Sequence, residues 1–188
     1  MSNKIYDKNL QTNETASENT VTWYNLPDEN IDIYGTSSEK DGLLSRRLPL
    51  ETAKNISQGI FWMCGYGAGV RILFATDSPF IALKVEYGNG TIPTVCNHCF
   101  TYGFDLYKFE NDKDIFVGAY RPVADFDKHN AEYKVNTHNN GKMTCYTINF
   151  PHFSEVKSLS VGIKNESTLQ KGKKYCNQLP VVFYGSSI

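Results

Sequence analysis

No stretch of the chain approaches the ~20 consecutive apolar residues of a membrane-spanning helix. No basic run is present that would seek nucleic acid or an anionic lipid surface. Lys and Arg number 19 and Asp and Glu number 20, giving a formal net charge of −1 with both signs spread along the chain. No Gly-rich loop leads into a helical pattern, so nucleotide chemistry is unsupported. No amphipathic helix stands out, and there is no internal repeat or low-complexity linker. The segment from Met1 to Asp7 carries no apolar leader, which predicts either a cytoplasmic protein or one whose leader has been removed. Tryptophan occurs only twice and methionine three times. The five cysteines are an odd number and their spacings make no disulfide framework, so they read as reduced thiols.

What the chain does have is aromatic and β-forming residues. Twelve Tyr and 11 Phe in 188 residues suit a sheet-rich core, and the length suits one domain. Residues 1–20 are polar and aperiodic, predicting a loosely ordered tail. Short strands are expected at Val21–Asn25 and Ile31–Tyr34, and a buried strand at Ile60–Cys64, which is apolar throughout. Leu50–Ser57 reads as a helical turn or an extended crossing. In the next segment Val70, Ile72 and Phe74 alternate with Arg71 and Leu73, and after the turn Asp77-Ser-Pro79, Ile81, Leu83 and Val85 alternate with Ala82, Lys84 and Glu86. This is the pattern of half-buried strands. A hairpin is expected from Tyr102–Phe109 and Ile115–Tyr120 around Asp112-Lys113. Further strands follow at Met143–Phe150 and at Leu159, Val161 and Ile163. Nine or ten short strands with frequent turns predict an all-β, jelly-roll-like antiparallel β-sandwich over residues 21–178.

Few groups suggest chemistry. Cys96-Asn-His-Cys99 places two thiols and an imidazole together, but a closed zinc site needs four ligands and no second pair exists. A loop with two reduced cysteines is the simpler reading, and no metal or cofactor is expected. His129, His138 and His152 are isolated in polar or turn sequence. Lys171–Lys174 reads as a solvated turn. Trp23, Trp62 and some tyrosines could offer platforms to a sugar. The final residues, Pro180-Val-Val-Phe-Tyr-Gly-Ser-Ser-Ile188, run a short β-forming stretch into a Gly-x-Ser turn, the arrangement by which several hydrolases expose a nucleophilic hydroxyl.

One string is more specific. Gly103-Phe-Asp-Leu-Tyr107 resembles the Gly-x-Asp-Leu-Tyr signature of the domain that precedes the catalytic domain in a group of SGNH (GDSL-like) hydrolases. Arg47-Leu-Pro49, Gly67-Ala-Gly-Val-Arg71 with Phe74-Ala-Thr-Asp-Ser-Pro79, Val117-Gly-Ala-Tyr-Arg-Pro122 and the terminal Pro180–Ile188 resemble other motifs of that family in the same order. The resemblance implies that residues 179–188 begin a hydrolase domain and that Ser187 is its nucleophile. It implies an ester or acyl hydrolase, with an acylated carbohydrate as substrate class and the catalytic domain of the same polypeptide as partner. The family's base and oxyanion-hole groups have no counterpart in these 188 residues, so this chain by itself is expected to be inactive. The local pattern places Phe104 and Leu106 in the core and Asp105 and Tyr107 on the opposite face. An uncovered Val181–Tyr184 strand would favour a homodimer. The rival reading is a stand-alone carbohydrate-binding sandwich in which Ser187 has no catalytic role.

Overall fold

A computed structural model of the chain describes residues 20–37, 41–92, 96–122 and 129–175. Two antiparallel sheets face one another. One has four strands in the order β1 (Val21–Asn25), β9 (Ser154–Lys164), β4 (Phe80–Gly90) and β7 (Asn130–Asn136). The other runs β10 (Leu169–Gln170), β3 (Arg71–Thr76), β8 (Thr144–Asn149), β5 (Phe104–Glu110) and β6 (Lys113–Tyr120), with β2 (Asp32–Tyr34) sharing the outer edge of β3 with β10. Sequence neighbours such as β3 and β4 fall in different sheets, as the expected sandwich requires.

The alternation that predicted the strands is what builds the core. Ile72, Phe74, Ile81, Leu83, Phe104, Leu106, Ile148, Val161 and Ile163 are all buried between the sheets. Ala82 is also buried, on the other side of β4, beneath a small outer cluster of Val21, Trp23 and Phe80. Leu73 faces away from the core yet is buried too, because the chain crosses that face at Gly172 and Tyr175. The core is also unusually phenolic: Tyr87, Tyr102, Tyr120, Tyr133 and Tyr146 all lie within it. The Tyr87 hydroxyl donates to the Tyr102 carbonyl at 2.5 Å and pairs with the Tyr133 hydroxyl at 3.1 Å.

The expected buried strand at Ile60–Cys64 is instead a helix, α2 (Gln58–Met63), with Trp62 and Met63 exposed. An unbroken apolar run does not distinguish strand from helix. Here the Ser57 hydroxyl caps the helix by accepting from the Ile60 amide at 3.2 Å. Two arginines close its other end: Arg46 Nη1 donates to the Phe61 carbonyl at 3.3 Å and Arg47 Nη2 to the Met63 carbonyl at 2.5 Å. The segment before it is the helix α1 (Leu50–Ile56) rather than an extended crossing. A third helix, α3 (His98–Tyr102), begins within what reads in sequence as a loop with two reduced cysteines, so β5 starts at Phe104 and not at Tyr102. β7, which carried no strong alternation, was not anticipated.

Candidate functional site

The five-residue signature spans the join of α3 and β5. Asn97 starts the helix, its side-chain oxygen accepting from the Phe100 amide at 3.0 Å. The helix ends where the Gly103 amide donates to the Cys99 carbonyl at 2.8 Å. A side chain at Gly103 would run into that carbonyl and come within 3.1 Å of the Tyr120 carbonyl, so glycine is needed here for close backbone approach. Phe104 and Leu106 then enter the core and are essentially inaccessible. Asp105 and Tyr107 point to the outer face of the six-stranded sheet, as the alternation predicts, and are half-buried.

On that outer face Asp105 lies opposite Asn149, and Asn149 opposite Arg71. Tyr107 lies opposite Thr147 on one side and Phe116 on the other, and its ring meets the Phe116 ring edge-on at 5.5 Å. Among the described residues, the Asp105 carboxylate and the Tyr107 hydroxyl have no hydrogen-bond partner. A cavity of about 210 Å³ opens beside this row, lined in part by Leu73, Phe109, Cys145 and Tyr175.

The motifs around Arg47, Gly67–Arg71 and Tyr120 gather at the same end of the sandwich, where β3 starts and β8 finishes. Gly69 (φ +86°) and Gly35 (φ +80°) form two turns that touch; a side chain on Gly35 would lie 2.5 Å from the Gly69 carbonyl oxygen. The Val70 carbonyl accepts from the Phe150 amide. Arg46 is nearly buried: its Nε donates to Asp41 at 2.6 Å and Nη1 to Cys64 Sγ at 3.2 Å. Burial opposes its charge, but these bonds win and its pKa rises. Arg47, without such a partner, is held below the usual guanidinium value by burial. The Thr76–Pro79 motif lies at the opposite end and is a structural knot. Asp77 accepts from the Thr168 amide, and the Ser78 hydroxyl donates to the Phe80 carbonyl and accepts from the Lys164 amide.

After β10 the chain steps onto the outer face. Gly172 passes against the backbone of Phe74, Lys173 lies 4.3 Å over the Phe109 ring, and Tyr175 packs edge-on against Tyr34 at 4.9 Å with Arg71 above it. The path therefore returns to the Arg71 end. Lys171–Lys174 is a crossing strap as well as a solvated turn. Ser187 and Val181–Tyr184 lie outside the described residues, as does Cys176.

The remaining candidates are dispersed. Cys96 is half-buried and Cys99 exposed, and the Asn97 between them serves as a helix cap. Among the described residues no three His, Cys, Asp or Glu side chains are grouped to hold a metal ion. His152 packs against Phe100 at 4.5 Å, while His138 sits in a turn with φ +51°. Of the two tryptophans, Trp23 is half-buried, with its ring against Gly162 and Lys84 Nζ 4.3 Å over it, whereas Trp62 is exposed.

Residues 21–169 match the GxDLY family, described as the N-terminus of SGNH-hydrolase-type esterases. The chain belongs to this family. Among solved structures, the GxDLY domain resembles a protein described as a GDSL-like lipase from Bacteroides ovatus, with a TM-score of 0.71, 19% identity and 81% of this chain covered. It also resembles the salicylyl-acyltransferase SsfX3 of a tetracycline biosynthetic pathway, with a TM-score of 0.62, 20% identity and 82% of this chain covered. These likenesses are of fold. The chain spans 43% and 42% of the two proteins' lengths. No curated protein matches it.

Proposed function

We propose that this GxDLY domain is the accessory domain of an SGNH-type serine esterase acting on an acylated carbohydrate, and that Ser187 is the nucleophile of the adjoining catalytic domain. The observation that carries the reading is the family match over residues 21–169. Tyr175, at the Arg71 end of the sandwich, stands twelve positions before Ser187 in the sequence. The Ser187 hydroxyl would add to the ester carbonyl as a base from the downstream domain takes its proton. The alcohol then leaves with that proton, and water releases the acid from the acyl-serine. The sandwich braces the catalytic domain and contributes to the rim through which substrate enters.

The test is covalent labelling with a fluorophosphonate, which modifies activated serines. A polypeptide that includes the downstream domain should carry the label on Ser187 by peptide mass spectrometry, and the 188-residue chain should stay unlabelled. Labelling that spares Ser187 in the longer polypeptide would end this reading.

A further inference from the structure

A sheet face turned to solvent is expected to be polar, yet Leu73 of β3, Cys145 of β8 and Phe109 of β5 put apolar side chains on the outer face of the six-stranded sheet. The segment Lys171–Tyr175 arches over them. Gly172 lies against the backbone of Phe74. The Lys173 ammonium sits 4.3 Å over the Phe109 ring and 3.7 Å from Asp112. Tyr175 leans edge-on against Tyr34 at 4.9 Å, with the Arg71 guanidinium 5.8 Å from the centre of its ring. Held at these points, the strap does not settle onto the sheet. A cavity of about 210 Å³ stays beneath it, with Thr147 on the floor and Asp114 and Lys174 at the exposed mouth. Protein interiors hold few voids larger than a water molecule, and this one has room for several.

We propose that this cavity is a binding site for a small uncharged organic molecule: a ring-sized apolar group with a hydroxyl at the mouth. Size sets the first part of the assignment. An engineered apolar cavity of about 150 Å³ stays dry and binds benzene, and this one is larger. The walls set the second, since Phe109 and Tyr175 present aromatic rings and Leu73 a branched aliphatic surface to whatever enters. Charge sets the third. Among the described residues Lys173 is answered by Asp112, whereas Lys174 and Asp114 have no ion-pair partner. A hydroxyl accepts from such an ammonium and donates to such a carboxylate. A ligand carboxylate or amine would meet one of the two as a like charge. The assignment is independent of the esterase reading of Ser187.

Thiol alkylation offers a test with an internal reference. Cys145 lines the cavity and is half-buried, while Cys99 is exposed on α3. Both are followed by peptide mass spectrometry as iodoacetamide reacts with the 188-residue chain, with benzyl alcohol as the probe. Benzyl alcohol should slow Cys145 at least about fivefold as it saturates the site, and leave Cys99 at its own rate. Benzoate and benzylamine at the same concentration should slow Cys145 less than about twofold. Tyr175→Ala removes an exposed wall of the cavity and touches no strand, so the melting temperature should hold while the protection disappears. Equal slowing of both cysteines, equal protection by all three probes, or protection that persists in Tyr175→Ala would each overturn the proposal. So would a Cys145 already unreactive without probe (the cavity filled by the chain itself), or one whose reactivity falls as protein concentration rises (a second copy as occupant).

Discussion

Arg46 and Asp41 form a short ion pair, Nε to Oδ2 at 2.6 Å, with side chains only 7% and 11% exposed. The same guanidinium reaches the Phe61 carbonyl and the Cys64 thiol, so one charge ties the 41–47 segment to the end of α2. Removing either partner leaves a nearly buried charge unmatched, which costs roughly 3 kcal/mol. Asp41→Ala and Arg46→Met should each lower the denaturant midpoint of the domain accordingly. The double variant should be less damaging than the sum of the two, because no orphan charge remains. Strict additivity in urea titrations would show that the pair is not coupled.

Gly103→Ala tests the role of the first residue of the signature. The added carbon meets two backbone carbonyls, of Cys99 and Tyr120, and backbone cannot yield as a flexible side chain can. A loss of about 1–3 kcal/mol is expected, measured by equilibrium unfolding. A neutral result would mean that α3 can move off β5.

Within the same motif the two faces should separate cleanly. Leu106 is wholly buried, and Leu106→Ala should cost about 2–5 kcal/mol. Asp105→Asn, on the half-buried outer face, should change the stability of the domain by less than about 0.5 kcal/mol. If Asp105→Asn unfolds the domain, its carboxylate is a structural element and not a contact held for a partner.

The phenolic core sets an upper pH limit. Burial pushes the Tyr133 hydroxyl up to about 12, against the pull of its hydrogen bond with Tyr87. Burial raises Tyr87 and Tyr120 as well. Above the ordinary value near 10, the unfolded chain has released phenolic protons that the folded chain still holds. The unfolded state then binds fewer protons, so stability falls as pH rises. It is fully present below about pH 10 and declines through about 12 for Tyr133. Tyrosinate absorbance should therefore appear cooperatively with loss of the fold, and Tyr133→Phe should flatten the decline. Titration of every phenol, those of the core included, near pH 10 with the fold intact would contradict this.

The sandwich was legible because period-two alternation is a local signal: Ile81, Leu83 and Val85 bury in β4 as their spacing predicts. α2 was not, because its apolar run is capped by Ser57 and closed by distant Arg46 and Arg47, and only the fold brings those together. β7 is held by its seven-residue pairing with β4 more than by its own pattern. The inward and outward halves of the Phe104–Tyr107 run could be read from sequence. That the motifs around Arg47, Gly67 and Gly103 share one end with exposed Trp62 could not, since they lie on different elements and meet only through β3, β8 and β5.

The most direct measurement is ester hydrolysis by the polypeptide that includes the downstream domain, with Ser187 and with Ser187→Ala, using a simple aryl acetate. The account predicts turnover by the first and a loss of at least about a thousandfold in the second, with melting of the GxDLY domain unchanged. Hydrolysis that survives Ser187→Ala would show that the nucleophile lies elsewhere and that the Gly185–Ile188 turn has no catalytic part.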